Sequence, residues 1–285
     1  MKIISWNVNG LRAVLRKNFL GWFKKANPDI LCLQELKLQK EQLPPDMLKP
    51  NGYNAFFSFA AKKGYSGVAV FSKKKPVGFN QKLGLTRFDK EGRILRLDFP
   101  KFSLINLYLP HGGRQKENLV YKLEVYKFLL KYLKKQFVIP ACASPKASAR
   151  QAKAGIQVNE SGSRIESGMT PRGVILIGDF NIAHTELDLA RPKQNQNNIM
   201  FTPEERGQLD KIVKLGFLDT LRLFHKEDGL FTWWPYFANA RARNLGWRID
   251  YCFTSEKISN KVKGAFIFPN VTSSDHCPVG VEIQI

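Results

Sequence analysis

The sequence lacks the features of several large protein classes. Its four cysteines, Cys32, Cys142, Cys252 and Cys277, form no CxxC pair and no zinc-finger spacing. No run approaches the roughly 18 apolar residues that would span a bilayer. The opening residues, MKIISWNVNG, are polar where a signal peptide needs its apolar stretch. We therefore expect a non-secreted protein with reduced thiols and no membrane association.

Acidic residues are also scarce relative to basic ones. The chain has 24 Asp and Glu against 45 Lys and Arg, which gives a net charge of +21. Such a field attracts polyanions, with nucleic acid as the first candidate and an anionic membrane surface as the second. The alternative is a generally lysine-rich composition that says little about a partner, because many of the lysines are scattered along the chain.

The hydrophobic pattern predicts many strands and few strict β-α-β alternations. This pattern favours two packed sheets with helices outside, rather than a doubly wound open sheet. Helices are predicted over 11–26 and 116–136, the second with Leu119, Leu123, Tyr126, Leu130 and Leu133 on one face and lysines opposite. Thr202, Pro203 and Glu205 predict another helix start. Strands are predicted over 2–8, 29–36, 53–59, 67–72, 93–99, 103–109, 174–177, 230–235, 248–254, 265–268 and 278–285.

One stretch fits neither pattern. Residues 137–173 are rich in Ala, Ser and Gly and have little periodicity. Connections longer than about 12–15 residues without structure are uncommon. We interpret 141–172 as a flexible surface insertion in a single catalytic domain spanning 1–285, with a DNA-contacting arm as the alternative.

Polar residues recur at or just beyond the ends of apolar strands. Glu35 follows DILCLQ, where either a metal ion or an ion pair with Lys37 would compensate its charge. Asp179 and Asn181 follow VILI and would point the same way if the strand continued, although a turn is the stronger alternative. The full set at strand ends is Asn7, Asn9, Glu35, Tyr108, His111, Asp179, Asn181, Asp250, Asp275 and His276.

This set suggests phosphoryl chemistry. Asp250, embedded in RIDYCF, could orient a histidine and raise its basicity, while the adjacent Asp275 and His276 could be a metal ligand and an acid/base or simply loop residues. Acids, amides, a tyrosine and a histidine, without cysteine, form a hard, oxygen-rich set. Such a set favours Mg²⁺ or Mn²⁺ over zinc.

Eight ordered motifs resemble the exodeoxyribonuclease III and apurinic/apyrimidinic (AP) endonuclease family. They cover nearly the whole chain except 137–173, and they are WNVNGLRA, LQELK, GYSGVAVFS, YLPHGGR, GDFNIAH, FTPEER, NLGWRIDY and SSDHCPV. The resemblance implies a four-layer α-β-β-α sandwich of two packed mixed β-sheets flanked by helices. It also implies metal-dependent hydrolysis of the DNA backbone 5′ to abasic sites, with 3′-to-5′ exonuclease and 3′-end-cleaning activity.

The resemblance also implies roles for individual residues. Glu35, Asn7 and Asp275 match the metal side, with Mg²⁺ as the ion and Mn²⁺ as a substitute. Asp179 matches the residue that activates water, Asn181 its orienting neighbour, Tyr108 a phosphate-contacting phenol, His276 a phosphate-binding histidine and Asp250 its partner. Positions that contact DNA are matched by Arg114, Asn195 and Asn198, and the apolar pocket for the flipped-out sugar by Trp233, Trp247 and Ile249.

Two features depart from the family pattern. His111 stands where relatives often have Asn, and the insertion separates a helix from the VILIGDFN strand. The expected partner is double-stranded DNA, with the protein a monomer in the cytoplasm, nucleoid-associated while acting, or in the nucleus of a eukaryote. Two alternatives stay open at this point: an enzyme of the wider fold that acts on inositol phosphates or sphingolipids, and a catalytically silent nucleic-acid-binding protein.

Overall fold

Two mixed six-stranded sheets form the centre of the molecule. The computed structural model describes residues 1–137 and 172–285. Within those residues the first sheet has the order β11-β12-β1-β2-β4-β3 and the second β5-β6-β7-β8-β10-β9. The strands are β1 (Lys2–Asn7), β2 (Ile30–Gln34), β3 (Asn54–Ser58), β4 (Val68–Ser72), β5 (Gly78–Asn80), β6 (Ile94–Asp98), β7 (Phe102–Tyr108), β8 (Gly173–Asp179), β9 (Phe217–Asp219), β10 (Asp250–Ser255), β11 (Val262–Ile267) and β12 (Val279–Ile283).

The helices of the described residues are mostly short. They are α1 (Leu11–Leu15), α2 (Phe19–Ala26), α3 (Pro45–Leu48), α4 (Thr86–Lys90), α5 (Leu119–Phe137), α6 (Pro192–Asn195), α7 (Pro203–Lys214), α8 (Thr220–Phe224) and α9 (Glu256–Ser259). The predicted start of α7 is confirmed, since the Thr202 hydroxyl accepts from the Glu205 N–H and Glu205 accepts from the Thr202 N–H. No helix in this part of the chain combines the length and the apolar character needed to cross a bilayer.

The two sheets pack face to face, and helices cover both outer faces. Between the sheets lies a core that includes Cys32 and Val70 of the first sheet and Leu104, Ile175 and Cys252 of the second. Helices α1, α2 and α3 cover the first sheet, and α5 and α7 cover the second. The predicted α-β-β-α sandwich is therefore confirmed. Apolar residues on both faces of strands such as β2 and β8 explain the continuous apolar runs in the sequence.

The strand register gathers polar residues at one end of both sheets. In the first sheet β1 and β2 are parallel, and Asn7 pairs with Gln34. In the second, β7 and β8 are parallel and β8 and β10 antiparallel, so that Asp179 lies opposite both Tyr108 and Asp250. Tyr108, Asp179 and Asp250 thus lie side by side at the same end of three neighbouring strands.

Two predicted elements differ from the structure. The helix predicted over 11–26 is two helices, because Asn18 takes a left-handed conformation with φ of 62° between them. The strand predicted over 230–235 is only a pair of isolated bridges at Trp233, to Trp247 and His276. Sequence reasoning also missed the short strands β5 and β9. The proposed insertion at 141–172 lies outside the described residues except at its last position.

Helix α5 corrects a further prediction. Its buried face contains Tyr126, Leu129 and Leu133, but also Lys122, which is fully buried. The lysines were expected on the opposite face. A lysine is tolerated inside because its ammonium forms a buried ion pair with Glu205.

Candidate active site

The end of β8 forms the centre of the site. Gly178 has a φ of 137°, and a Cβ there would lie 2.0 Å from the Leu107 carbonyl oxygen of β7. Only glycine therefore lets β8 approach β7 closely just before Asp179. The chain then turns, since Asn181 has a φ of 52° and its N–H donates to Asp179 Oδ1 over 2.8 Å. The first half of this tetrapeptide therefore belongs to the strand, and the chain leaves the strand only at Phe180 and Asn181.

The turn nevertheless brings both side chains together. Asn181 Nδ2 lies 3.2 Å from Asp179 Oδ2 and 2.8 Å from the Leu109 carbonyl oxygen. Asn7, at the end of β1 in the other sheet, donates its Nδ2 to the same Asp179 oxygen over 2.8 Å. Two amides from two sheets thus orient one buried carboxylate.

We call Asp179, Asp250 and His276 the inner wall. All three are at least 95% buried. His276 Nδ1 donates to Asp250 Oδ2 over 2.8 Å, and His276 Nε2 lies 4.0 Å from Asp179 Oδ2. Because Nδ1 is engaged by Asp250, the other ring nitrogen is directed toward Asp179, and the imidazole is oriented for contact with a ligand there.

Burial and mutual charge determine the protonation of the inner wall. Burial, and next the charge of Asp250, raise the pKa of Asp179, although His276 and the Asn7 amide oppose the shift. Burial lowers the pKa of His276, but Asp250 and then Asp179 outweigh it and raise that pKa well above the usual value. At neutral pH the inner wall therefore has an imidazolium held between two acids, one of which has increased basicity.

Thr232 supports the inner wall from behind. Its hydroxyl donates to Asp250 Oδ2 over 2.7 Å and accepts from the Ile249 and Asp250 N–H groups. Sequence reasoning did not single out this residue. A threonine before two tryptophans resembles an ordinary strand position, and only the tertiary structure shows its partner.

Glu35, Lys37 and Asn9 form a more exposed cluster, which we call the outer wall. Lys37 Nζ lies 2.9 Å from Glu35 Oε1 and 2.5 Å from Asn9 Oδ1. The side chains of Lys37 and Glu35 remain 37% and 17% exposed. The ion pair that the sequence offered as the alternative for Glu35 is therefore present, and it leaves the carboxylate accessible to solvent.

The backbone of the outer wall is strained. Asn9, Glu35 and Lys37 have φ values of 45°, 60° and 53°, in the left-handed region. Non-glycine residues in that region cost about 1–3 kcal/mol each and tend to gather at functional sites. This clustering is a second, independent sign that the outer wall has a function.

Asp275 and Tyr108 connect the two walls. Asp275 accepts from Asn9 Nδ2 over 2.9 Å and from Trp233 Nε1 over 3.1 Å. The Tyr108 hydroxyl lies within hydrogen-bonding reach of the Glu35 carboxylate, and burial, and next Glu35, raise the pKa of Tyr108. Its phenol therefore keeps its proton at neutral pH and can donate.

The aromatic residues predicted to line a pocket lie beside the inner wall. Trp233, Trp247 and Ile249 belong to one apolar cluster with Phe201 and Met200. The ring centroids of Trp233 and His276 are 6.4 Å apart. The partly exposed rings of Trp233 and Trp247 therefore form an apolar surface beside the charged site, whereas Ile249 is buried beneath the surface.

The three predicted DNA-contacting polar residues lie on surface loops of the described structure. Arg114 is exposed on the loop after β7. Asn195 donates Nδ2 to the Ala190 and Arg191 carbonyl oxygens, and it accepts from Asn198 Nδ2 over 2.8 Å. These contacts order the loop that contains α6, and Asn198 remains exposed.

Two groups of side chains could hold a metal ion. The potential ligand atoms of Asp179, Asp250 and His276 lie within 4.8 Å of one another. The sequence instead pointed to Glu35 with Asn7 and Asp275. The two groups differ in accessibility. Glu35 is partly exposed and paired with Lys37, and accessible oxygens suit a hydrated Mg²⁺. The inner wall is buried, and its Asp179 and His276 side chains are already hydrogen-bonded.

Comparison with known proteins defines the family. The sequence model of the endonuclease/exonuclease/phosphatase family matches residues 4–276. The chain belongs to this family. An exodeoxyribonuclease of Bacillus subtilis (strain 168) is 38% identical, with the whole of both chains covered.

Solved structures of the family have the same fold. An AP endonuclease from Archaeoglobus fulgidus superposes with a TM-score of 0.81 at 26% identity, and a 3′-5′ exonuclease from Neisseria meningitidis with a TM-score of 0.82 at 26% identity. Both comparisons cover the whole of both chains. The resemblance inferred from eight short motifs therefore extends over the full length of the chain.

Proposed function

We propose that this member of the endonuclease/exonuclease/phosphatase family is a DNA-repair phosphodiesterase that hydrolyses the DNA backbone 5′ to abasic sites. One observation carries the proposal most directly: the buried Asp179 carboxylate, held by Asn7 and Asn181, faces a histidine that is itself held by Asp250. A base and a cationic donor 4.0 Å apart in one buried site suit attack of water on a phosphodiester.

Each residue of the inner wall has a defined part in the reaction. The Asp179 carboxylate, made more basic by burial, accepts a proton from the attacking water. His276 keeps its proton on Nε2 and donates to a phosphate oxygen, and Asp250 stabilises that charge. Tyr108 donates a further hydrogen bond to phosphate. Asn181 uses both protons of Nδ2 on Asp179 and Leu109, and its Oδ1 accepts a hydrogen bond from the attacking water and so orients it.

The outer wall supplies the cation site. We assign Glu35 as the principal ligand of Mg²⁺, or of Mn²⁺ as a substitute, with Asn7 and Asp275 on the same side. A bound divalent ion would neutralise phosphate charge and the charge that develops on the leaving 3′ oxygen. The accessible oxygens of Glu35 fit this assignment.

Selection of abasic DNA would follow from the apolar cluster beside His276. Trp233 and Trp247, which pack against the buried Ile249, offer a surface for a sugar that has no base. Extruding such a nucleotide costs less than flipping a normal one, because no base is unstacked or unpaired. Arg114, Asn195 and Asn198 are assigned to contacts with the flanking backbone, and the charge of +21 favours duplex DNA as the partner.

The proposal also covers the domain organisation, the oligomeric state, the place of action and a second activity. We assign the chain as one catalytic domain over 1–285 that acts as a monomer where the cell keeps its DNA. Relatives support a second activity of the same site: the Bacillus protein is named an exodeoxyribonuclease and the Neisseria structure a 3′-5′ exonuclease. We therefore also propose 3′ trimming and cleaning. Assays of abasic, nicked and blunt duplexes side by side measure the balance of the two activities.

A duplex with a tetrahydrofuran abasic analogue tests the main proposal. The wild-type protein with Mg²⁺ should cut 5′ to the analogue, and Asp179→Asn should lower single-turnover cleavage by about 10³-fold or more while duplex binding persists. The matched control is Asp228→Asn, which alters an exposed acid far along the chain. Near wild-type cleavage by Asp179→Asn would show that Asp179 is not the base. Binding without cleavage by the wild type, at any metal concentration, would favour the silent binding protein.

A further inference from the structure

The fully buried Lys122 makes contacts that link three separate elements to the site. Its Nζ donates to Glu205 Oε1 of α7 over 2.5 Å, to the Asn181 carbonyl oxygen over 2.6 Å and to the His111 carbonyl oxygen over 3.3 Å. An ammonium has three protons, so these acceptors use all of its donor capacity. The side chain is therefore fixed in one position beneath the turn that follows β8.

Glu205 is fixed as firmly as its partner. While Oε1 accepts from Lys122, Oε2 accepts from the Thr202 N–H over 3.1 Å. Neither Lys122 nor Glu205 has any measurable exposure. The start of α7 thus forms a rigid support for the Lys122 charge.

The Asn181 carbonyl is the point at which this support meets the catalytic turn. Asn181 has a left-handed backbone, which is strained for a residue with a side chain. That conformation directs its N–H to Asp179 Oδ1 and its Nδ2 to Asp179 Oδ2. A charged donor on the Asn181 carbonyl stabilises the one conformation in which both groups reach Asp179.

Stability alone does not explain this arrangement. Replacing a buried ion pair by apolar residues of similar volume is often neutral or stabilising, because the desolvation of both charges is avoided. A wholly apolar pair would, however, remove the acceptor that Glu205 provides for the buried Thr202 N–H at the start of α7. It would also leave the Asn181 carbonyl without its charged donor.

We propose that Lys122 and Glu205 are positioning residues of the reaction, and that they hold the turn from Asp179 to Asn181 so that Asn181 orients the Asp179 carboxylate. This inference rests on the proposed function. Neither residue contacts Asp179 directly, so the pair acts through the Asn181 backbone. Loss of the pair should lower the rate of the chemical step and leave DNA binding almost unchanged.

The double variant Lys122→Met with Glu205→Leu tests the proposal. Its melting temperature should fall, because the buried Thr202 N–H and the Asn181 and His111 carbonyls lose their partners. At a temperature at which the variant is still folded, kcat on the abasic duplex should fall by about 20- to 100-fold with little change in KM, because small displacements of catalytic groups cost rates of this order. Hydrogen exchange of the peptide spanning 178–183 should become faster. The control is Lys127→Met, an exposed lysine on the same helix, which should change none of these.

Several results would overturn the inference. One is a kcat within about threefold of wild type in a folded double variant, because so small a change would exclude a positioning role. Another is a raised KM with kcat unchanged, because this would indicate a role in binding. If the double variant does not fold, Glu205→Gln keeps an acceptor oxygen and should still lower kcat several-fold; an unchanged kcat would contradict the proposal. If the wild type does not cut the abasic duplex, the proposed function is wrong. Independently of cleavage, unchanged hydrogen exchange of the peptide 178–183 in the double variant would contradict the positioning role.

Discussion

The inner and outer walls of the site are neighbours but differ in how the protein holds their charges. Asp179, Asp250 and His276 are buried, and each is held by hydrogen bonds from other parts of the chain. Glu35 and Lys37 are partly exposed, contact one another and stand on strained backbone. One wall has a fixed geometry and strongly shifted pKa values, whereas the other has charges that solvent and ions can reach.

This difference suggests a division of labour. A proton acceptor needs low dielectric and fixed neighbours, because these raise its basicity and orient it. A site for a hydrated divalent ion needs accessible oxygens and room for water. The contrast predicts large effects on turnover at the inner wall and effects on metal requirement at the outer wall.

After Asp179, the largest effect is expected at Asp250. Asp250→Asn should lower single-turnover cleavage by about 10²-fold or more, because His276 loses the charge that orients it and keeps it protonated. Asp250→Ala should in addition lower the free energy of unfolding by about 3 kcal/mol, since a buried charge is left without a partner. Cleavage assays and urea unfolding measure the two quantities.

Asp98→Asn is the matched control for this experiment. Asp98 pairs with Arg96 at the other end of the second sheet, and both side chains are partly exposed. Its loss should cost less than about 1 kcal/mol and leave turnover unchanged. Equal losses of turnover for Asp250→Asn and Asp98→Asn would remove the distinction between the inner wall and an ordinary ion pair.

An intermediate effect is expected at Glu35. Glu35→Gln should raise the Mg²⁺ concentration needed for half-maximal cleavage by about 10- to 100-fold, because the principal ligand loses its charge. The melting temperature should change little, since the pair with Lys37 is partly exposed. Metal titrations at constant ionic strength provide the measurement.

Lys37→Met separates the ligand from the ion pair. This variant also breaks the pair but keeps the Glu35 carboxylate, so the Mg²⁺ requirement should stay the same or decrease. If both variants raised the requirement equally, the ion pair and not the ligand would be responsible. An unchanged requirement in Glu35→Gln would instead move the metal site to the inner wall.

The smallest effect on turnover is expected at Asp188, which pairs with Arg248 beside the inner wall. Burial opposes the shift, but Arg248 and then Arg222 lower the pKa of Asp188 to about 2. Because the folded pKa lies below the unfolded value, the stabilisation exists at neutral pH and is lost as pH falls toward 2. We expect Asp188→Asn to cost about 2 kcal/mol at pH 7 and roughly half of that at pH 3.

Urea unfolding of both proteins at the two pH values tests this prediction. Arg248, which donates to Asp188, lies two residues before Asp250 in the chain. The pair of Arg248 and Asp188 is therefore close to the inner wall but outside it. Turnover at neutral pH should therefore fall much less than in Asp250→Asn. A cost that grew as pH fell would contradict the assigned direction of the pKa shift.

Prediction from the sequence succeeded where local patterns are strong. Continuous apolar runs identified β2 and β8, and the capping residues Thr202 and Glu205 identified the start of α7. It was wrong for the strand over 230–235, where the backbone of Thr232 and Trp233 pairs with a loop rather than with a sheet. It also missed Lys122 as an interior residue, although that lysine falls at helical spacing among buried residues of α5.

The sequence by itself determined the family, the sandwich of two sheets and the residue types at the strand ends, because motifs and apolar periodicity are local properties of the chain. Only the tertiary structure decided that Asn7 donates to Asp179, that Thr232 supports Asp250, and that Lys122 reaches the Asn181 carbonyl. These contacts join residues far apart in the chain. Their geometry depends on the packing of two sheets and their helices, which no local pattern contains.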